Sequence, residues 1–392
     1  MRTVLTAKKL LNGTSLLDHP VILIEDGRIA SIDSRAAGEL PAGIVDQTLD
    51  YPEATLAPAF LDVHIHGAAG YDVMEATPEA LMTMGRFLAS HGTGSYLATT
   101  VTAPIDATLR TLSGLAKLLA QPPDPAGIVT WPIGIHLEGP FLSHEKRGVH
   151  PPELLLAPDI ALFDRFYEAA EGNIRLMTLA PELPGALEFA AHATARGVRV
   201  SVGHSNATAA ETRAGIAAGA VSATHTFNAM RPLDHREPGI LGVVLTTDCL
   251  FAELICDGIH NTPEMVKIWW RTKGPERAIL ITDAMRAAGM PDGEYELAGL
   301  TVQVANGKAS FGDVLAGSVL TLDRALTNFL AFTGASVEQG LRLLTANPAA
   351  MTGFGDRAGW LSVGQSANLV AVDAAGKLAA SFLNGRKAPP VQ

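Results

Sequence analysis

Short apolar runs alternate with longer segments in which apolar residues recur every three or four positions, over most of the chain. Short apolar runs predict buried strands, and the three-to-four-residue period predicts amphipathic helices. The runs end near residues 62–66, 100–102, 138, 179–181, 204, 225, 257–260 and 283. Eight strands alternating with helices predict an α/β fold of the (β/α)8 TIM-barrel type.

Local signals support helices between these strands. Thr77 and Pro78 form a cap followed by proline, and Gly92 is the expected stop of that helix. The segment Thr208-Ala-Ala-Glu211 has the pattern of a capping box directly after the fifth run.

The two chain ends have a different pattern. Val21–Ile24 and Arg28–Ile32 flank Asp26-Gly27, a strong hairpin signal, and the segment from Gly359 to Asp373 also predicts strands. Neither end could bury a face alone, so we expect both to pair into one small β-sandwich. The predicted domains are therefore residues 1–56 and 359–392 for a discontinuous β-sandwich, and 57–358 for the barrel.

Composition narrows the class of protein. The chain has 392 residues, of which 47% are hydrophobic and 18% charged, with a net charge of -11. The negative charge argues against a nucleic-acid surface, and no apolar run is long enough to span a membrane. The N-terminal sequence does not resemble a signal peptide, so we expect a cytoplasmic protein. Cys249 and Cys256 are predicted to share one strand and form neither a disulfide framework nor a Cys-x-x-Cys site.

Histidines and carboxylates occur where the apolar runs end. A closed barrel gathers the ends of all its strands at one mouth, which an open doubly wound sheet would not do. His64 and His66 are two residues apart, so both side chains leave their strand on the same side. Imidazole and carboxylate are ligands for divalent metals such as zinc. The predicted ligands are His64, His66, Glu138, His204 and His225.

Two further residues of these runs have different predicted roles. Asp283 is expected to act as a general base and then as an acid, although an aspartate here could also cap the following helix. His136 shares the strand face of Glu138, and we expect it to line the barrel without binding metal.

The wider sequence around these residues resembles a known family. The strand-end histidines and Asp283 are similar to those of the amidohydrolase superfamily. More closely, the chain resembles the N-acetylglucosamine-6-phosphate deacetylases, over essentially its whole length. The motifs are His136-Leu-Glu-Gly-Pro-Phe141, Gly203-His-Ser205, Thr224-His-Thr-Phe-Asn-Ala-Met230, Arg236-Glu-Pro-Gly239, Asp257-Gly-Ile-His260 and Leu315-Ala-Gly-Ser318.

The resemblance implies a metal centre. Glu138, His204 and His225 would hold the principal ion, and His64 and His66 would complete a second position, with Glu138 as a bridge. One or two divalent ions per subunit are expected, with zinc preferred and iron or other divalent ions compatible. The fourth run ends without a lysine, which argues against a carbamylated-lysine bridge.

The resemblance also implies a substrate site. Asn228 and Ala229 would offer donors, and His260 would reach the sugar or its phosphate. Arg236 would enter the site of the neighbouring subunit, which requires a homodimer. Leu315 would seat the acetyl methyl group, or simply pack at the start of the next helix, and His150 lies on a basic loop that could cover the site.

The implied reaction is hydrolysis of N-acetyl-D-glucosamine 6-phosphate to D-glucosamine 6-phosphate and acetate, in amino-sugar catabolism or recycling. The alternatives are deacetylation of N-acetylgalactosamine 6-phosphate, a cyclic amidase or deaminase on the same barrel, and a non-catalytic scaffold. Fold alone does not fix the substrate, but all the expected ligands are present, which disfavours the scaffold.

Overall fold

The computed structural model describes residues 1–35, 44–124 and 127–390. Strands and helices are numbered in chain order. The N-terminal strands are β1 (Arg2–Asn12), β2 (Ser15–Asp18), β3 (Pro20–Glu25), β4 (Arg28–Ser34) and β5 (Gln47–Pro58). Strands β3 and β4 pair antiparallel with Glu25 opposite Arg28, which confirms the predicted hairpin.

The barrel follows directly. A hairpin of β7 (Gly67–Ala68) and β8 (Tyr71–Asp72) lies after its first strand. The eight barrel strands lie side by side in chain order, and every pair is parallel. They are β6 (Phe60–Ile65), β9 (Thr93–Thr100), β10 (Trp131–Glu138), β11 (Ile174–Leu179), β12 (Arg199–Val202), β13 (Ala220–Ala223), β14 (Phe251–Ile255) and β15 (Ala278–Ile281). All eight predicted strands are confirmed.

The first and last strands close the barrel at its carboxyl end. The Asp283 backbone N–H donates to the His64 carbonyl over 2.8 Å, and the His66 N–H donates to the Ala284 carbonyl over 2.8 Å. Backbone pairing therefore places the segment after β15 directly beside the two histidines of β6. The predicted fold class is confirmed.

Helices cover the outside of the barrel. They are α1 (Pro78–Ser90), α2 (Ile105–Ala120), α3 (Ile160–Ala169), α4 (Ala186–Ala195), α5 (Ala209–Ala217), α6 (Gly239–Thr246), α7 (Pro263–Arg277), α8 (Leu322–Thr333), α9 (Val337–Arg342) and α10 (Ala346–Thr352). The Thr77 side chain accepts from the Ala80 N–H, and Thr208 with Glu211 forms a complete capping box, so both predicted helix starts are confirmed. Among the described helices none is long and apolar enough to cross a membrane.

An antiparallel sheet of four strands interrupts the pattern between β15 and α8. It consists of β16 (Gly293–Leu297), β17 (Leu300–Ala305), β18 (Lys308–Phe311) and β19 (Val314–Leu315). Its apolar face packs on Val101 and Met285 beside the barrel mouth. The sequence analysis did not predict this insertion, which brings new residues to the site.

The chain ends form a single sheet. Its C-terminal strands are β20 (Leu369–Val372), β21 (Leu378–Leu383) and β22 (Arg386–Lys387). The order is β22-β21-β20-β5-β1-β3-β4, with β2 added beside β1. Because β5 pairs with β1 on one side and with β20 on the other, both ends share one β domain, as predicted.

Two smaller expectations are wrong. Within residues 359–373 only Leu369–Val372 forms a strand, because the preceding polar and glycine-rich residues form turns. The two cysteines do not share a strand. Cys249 is exposed in the turn before β14, and Cys256 is buried just after that strand.

Candidate metal centre and active site

Six predicted site residues meet at the carboxyl mouth of the barrel, because each lies at or just beyond the end of a strand. They form two groups whose potential ligand atoms lie within 4.8 Å of one another. All six side chains are buried. The groups are Glu138, His204 and His225, and His64, His66 and Asp283.

The first group has the dimensions of a metal site. The Glu138 Oε1, His204 Nε2 and His225 Nε2 atoms are 3.0–3.2 Å apart. A tetrahedron with zinc–nitrogen bonds of about 2.05 Å has edges of about 3.3 Å. The three atoms therefore converge as ligands of one ion would.

Hydrogen bonds behind the rings identify which nitrogens are free to bind a cation. The His204 Nδ1 atom is 2.8 Å from the Lys146 carbonyl, and the His66 Nδ1 atom is 3.0 Å from the Thr99 carbonyl. A carbonyl oxygen only accepts, so Nδ1 carries the proton and Nε2 of the neutral ring presents its lone pair. Each ring therefore offers Nε2 as a ligand atom to the group in which it lies.

The second group shares Glu138 with the first. The His66 Nε2 atom is 3.2 Å from Asp283 Oδ1 and 3.3 Å from His64 Nε2. Glu138 Oε1 is 3.3 Å from His64 Nε2, and its Oε2 is 3.2 Å from His66 Nε2. This carboxylate therefore lies between the two groups, at the place a bridging ligand would take.

Three of these residues have a left-handed backbone. The φ angles are 46° at His204, 29° at His225 and 49° at Asp283. Such angles are uncommon outside glycine and concentrate at functional sites. The bend turns each side chain from the strand direction into the mouth.

The electrostatics of the site favour a cation. Burial alone would raise the carboxyl pKa values, but the neighbouring histidines, His64 first, hold the pKa values of Glu138 and Asp283 below their usual range. Burial alone would lower the pKa of His66, yet Asp283 and Glu138 raise it to about 9. The negative charge of Asp283 and Glu138, which retains a proton on His66, would equally stabilise a divalent ion in place of that proton.

His136 has the structural role that was predicted for it. Its Nε2 atom is 2.9 Å from Thr178 Oγ1, and the ring is fully buried. Burial, together with the charge of His64, holds its pKa well below the usual value. The ring is therefore neutral and already engaged inside the barrel.

A cavity of about 340 Å³ opens above the two groups. Five of the six predicted substrate residues line it: His150, Asn228, Ala229, His260 and Leu315. The insertion contributes Leu297, Ala298 and Val314 to the same wall. Leu315 is thus part of an apolar surface larger than the sequence suggested.

Arg236 lies elsewhere. It is exposed on the loop before α6 and does not line the cavity of its own chain. Glu237 is next to Arg236 in sequence and would be its partner if Arg236 were an ordinary surface cation. The Glu237 carboxylate instead accepts from the Ala209 and Gly239 backbone N–H groups. Within the described ranges the Arg236 guanidinium makes no ion pair.

His150 has its proton directed towards the site. Its Nδ1 atom is 2.8 Å from Thr102 Oγ1 and 3.4 Å from the Thr102 backbone nitrogen, whose N–H can only donate, so the surroundings favour Nδ1 as the acceptor and the proton on Nε2. Nε2 is 3.6 Å from Glu138 Oε2. Burial lowers the pKa of His150, so the ring is a neutral donor facing the metal groups.

His260 is fixed by an acidic neighbour. Its Nδ1 atom is 2.6 Å from Asp257 Oδ2, and the Ile259 and His260 backbone N–H groups donate to Asp257 Oδ1. Burial would raise the pKa of Asp257, but the His260 contact lowers it. The ring is thus oriented by a carboxylate at the edge of the cavity.

The sequence analysis missed the insertion and the Lys146 carbonyl. The insertion had a signal: Asn306-Gly307, a hairpin dipeptide, with φ angles of 52° and 77°. The Lys146 carbonyl had none, because a backbone acceptor has no residue-type signature.

A closed (β/α)8 barrel with buried histidine and carboxylate groups at its carboxyl mouth defines a metal-dependent hydrolase of the amidohydrolase type. The sequence model of the amidohydrolase family matches residues 55–391, and the chain belongs to that family.

Individual relatives and solved structures indicate a narrower class of enzymes within this family. The chain is 39% identical over 376 residues to N-acetylgalactosamine-6-phosphate deacetylase of Escherichia coli O157:H7, covering 95% of this chain and 96% of the relative. It is 37% identical to N-acetylglucosamine-6-phosphate deacetylase of Lysinibacillus sphaericus, with 93% and 92% covered. It also matches the Mycobacterium smegmatis N-acetyl-D-glucosamine-6-phosphate deacetylase, solved as an Asp→Ala mutant with N-acetyl-D-glucosamine 6-phosphate, at a TM-score of 0.90 and 36% identity over 99% of both chains.

Proposed function

We propose that this chain hydrolyses the acetamide of N-acetyl-D-glucosamine 6-phosphate, releasing acetate and D-glucosamine 6-phosphate. The observation that carries the proposal is the pair of ligand groups sharing Glu138, with Asp283 beside them under the cavity. Similarity over nearly the whole chain to deacetylases of this sugar phosphate gives the substrate class.

Glu138, His204 and His225 would hold the principal ion, and His64 and His66 would form a second position beside Asp283. Imidazole and carboxylate donors suit zinc, and also iron and other divalent ions. When bound, a divalent ion supplies Lewis-acid polarisation of a carbonyl and lowers the pKa of water to about 7 in the case of zinc.

Asp283 is the proposed base. The low pKa of its carboxyl keeps it ionised, so that it can take the proton of the attacking water and later return it to the departing amine. His150 would support the same step, because its Nε2–H can donate to the oxygen of the acetamide as negative charge develops there.

The substrate would be held by its two ends. The acetyl methyl group would contact Leu315, and Asn228, Ala229 and His260 would face the sugar and its phosphate. The phosphate favours a cation, and Arg236 lies outside its own cavity, with a guanidinium group that makes no ion pair to the described residues. We therefore propose a homodimer in which Arg236 reaches the partner's site.

We also propose that the activity is cytoplasmic. A sugar phosphate is an anion that does not cross a bilayer unaided, so the enzyme must share a compartment with its substrate.

N-acetylgalactosamine 6-phosphate is a second candidate substrate, because the Escherichia coli O157:H7 relative acts on it by name and is 39% identical. The two sugars differ only at C4. A single hydrogen bond can decide between such epimers.

The test is acetate release by the purified, metal-reconstituted protein. The substrates are the two N-acetylated sugar phosphates and N-acetylglucosamine without its phosphate. We expect kcat/KM to be about 10- to 10²-fold higher with the phosphate than without it, since one hydrogen bond to a charged group contributes about 1.5–3 kcal/mol. Turnover of neither sugar phosphate would refute the proposal, and a preference for the galacto epimer would select the second candidate.

A further inference from the structure

Glu253 is a buried carboxylate that the proposed chemistry does not use. It lies on β14 inside the barrel, beneath the metal groups, with 0% of its surface exposed. Neither carboxylate oxygen has a hydrogen-bond partner within the described ranges. Burying an unpaired carboxylate costs several kcal/mol, so a glutamate at this position requires an explanation.

The group that faces Glu253 is His64. The Glu253 Oε2 atom is 3.5 Å from His64 Nδ1, and this nitrogen also lacks a hydrogen-bond partner among the residues described. Two buried polar groups without other partners thus face each other. A small shift in either side chain would complete an N–H···O contact between them.

The other nitrogen of His64 belongs to the second metal group. Nε2 is 3.3 Å from His66 Nε2, 3.3 Å from Glu138 Oε1 and 3.5 Å from Asp283 Oδ1. To present a lone pair there, the neutral ring must carry its proton on Nδ1. A carboxylate oxygen accepts a hydrogen bond, so Glu253 beside Nδ1 favours that tautomer.

The neighbouring rings support this assignment. His66 and His204 each have a backbone carbonyl behind Nδ1, from Thr99 and Lys146. His64 has a carboxylate oxygen of Glu253 in the corresponding place. A carboxylate behind a ligating histidine makes the ring a more basic ligand than a carbonyl does.

We propose that Glu253 is a positioning residue of the second metal position, where it keeps the proton of His64 on Nδ1 and leaves Nε2 to the ion. The inference rests on the proposed metal centre but not on the identity of the sugar. Its test therefore measures metal binding without substrate, and a failed deacetylase assay would leave it standing.

The experiment compares Glu253→Met and Glu253→Gln with the parent protein. Methionine fills a similar volume without an acceptor, whereas glutamine keeps a neutral one. Chelator-stripped protein is titrated with zinc against a competing indicator, and bound metal is counted by elemental analysis. Leu254→Met, on the same strand and equally buried, controls for a changed core side chain.

The parent should bind two ions. In Glu253→Met the weaker ion should lose affinity by about 10–100-fold while the tighter ion changes by less than about threefold. Glu253→Gln should recover only part of the loss, because a neutral amide oxygen is a weaker acceptor than a carboxylate, so its second ion should still bind measurably more weakly than in the parent. In a His64→Gln background, Glu253→Met should have no further effect, because the ring that it positions is gone.

Three results would overturn the proposal: unchanged affinity of the second ion in Glu253→Met, equal weakening of both ions, or only one ion in the parent at saturating zinc. Should Glu253→Met fail to fold, Glu253→Gln decides the matter. A loss confined to the second ion supports the role, and parental affinity for both ions refutes it.

Discussion

The substitution Asp283→Asn separates the chemistry of this carboxylate from its shape. Asp283 has a φ angle of 49°, and asparagine is among the residues that accept this region readily, so the backbone should be preserved. The carboxylate oxygen Oδ1 is 3.2 Å from His66 Nε2 and 3.5 Å from His64 Nε2. The change removes a proton acceptor and one negative charge and leaves the volume almost unchanged.

The expected loss follows from the role of a general base. Positioned acid–base catalysis contributes about 10²–10⁴-fold, or about 3–5 kcal/mol of the activation barrier. The principal group of Glu138, His204 and His225 supplies its own ligand atoms, 3.0–3.2 Å apart, and does not need Asp283. We therefore expect kcat to fall by that factor while the principal ion is retained.

The assay is single-turnover acetate release, with bound metal counted on the same sample. Asp323→Asn is the matched control, because Asp323 is a half-buried carboxylate 3.1 Å from His91 Nδ1 that does not line the cavity. It should lower stability and leave kcat unchanged. A kcat for Asp283→Asn within about tenfold of the parent would refute the base, and loss of the principal ion would show that Asp283 mainly binds metal.

Three further outcomes are expected. Arg236→Ala should raise KM for the sugar phosphate about 10²-fold. Mixing the Arg236→Ala and Asp283→Asn variants should restore activity, because a hybrid dimer contains one site with both residues intact. A mixture no more active than the sum of the two separate variants would exclude a site shared between subunits. Gly148→Ala should weaken metal binding at the principal group, because the residue has a φ of 57° and its new Cβ would lie 3.3 Å from His204 Cε1. Gly334→Ala is the control: its backbone is strained in the same way, but the space around it is open, so metal binding should not change. Burial lowers the pKa of Lys273 to about 8. In the unfolded chain the pKa of this lysine is about 10.4, so the unfolded chain binds more protons than the folded protein between pH 8 and pH 10.4. Over this pH range the unfolding free energy of the parent should therefore rise by about 2 kcal/mol relative to that of Lys273→Met, after allowance for solvent screening. A difference that stays constant with pH would contradict the lowered pKa.

Sequence reasoning located the barrel and the metal groups for a local reason. In a parallel barrel each strand is an apolar run, and residues at or just beyond its carboxyl end lie at the mouth, so Glu138 and His204 could be placed without knowledge of distant contacts. The second group also depends on closure, which sets Asp283 beside His64 by backbone pairing.

The remaining features depend on contacts that residue type does not reveal. The insertion packs across the mouth through contacts distant in sequence, although Asn306-Gly307 marked one of its turns. Glu253 is the single charged residue of an apolar strand in the sequence, but its partner, His64, lies on β6, which is distant in sequence. The acceptor for His204 Nδ1 is the main-chain oxygen of residue 146, which any residue type at that position would supply.

The place of β5 at the centre of the terminal sheet has a consequence for synthesis on the ribosome. One flank of β5 can pair with β1 as soon as both have emerged, but the other must wait for β20. At about 5–20 residues per second, the roughly 310 residues that separate Pro58 from Leu369 take about 15–60 s to translate. For that time the nascent chain has an open strand edge, which is a template for pairing with other chains. Chains interrupted before β20 would keep this edge, so incomplete products of this protein should aggregate even when the barrel has already formed.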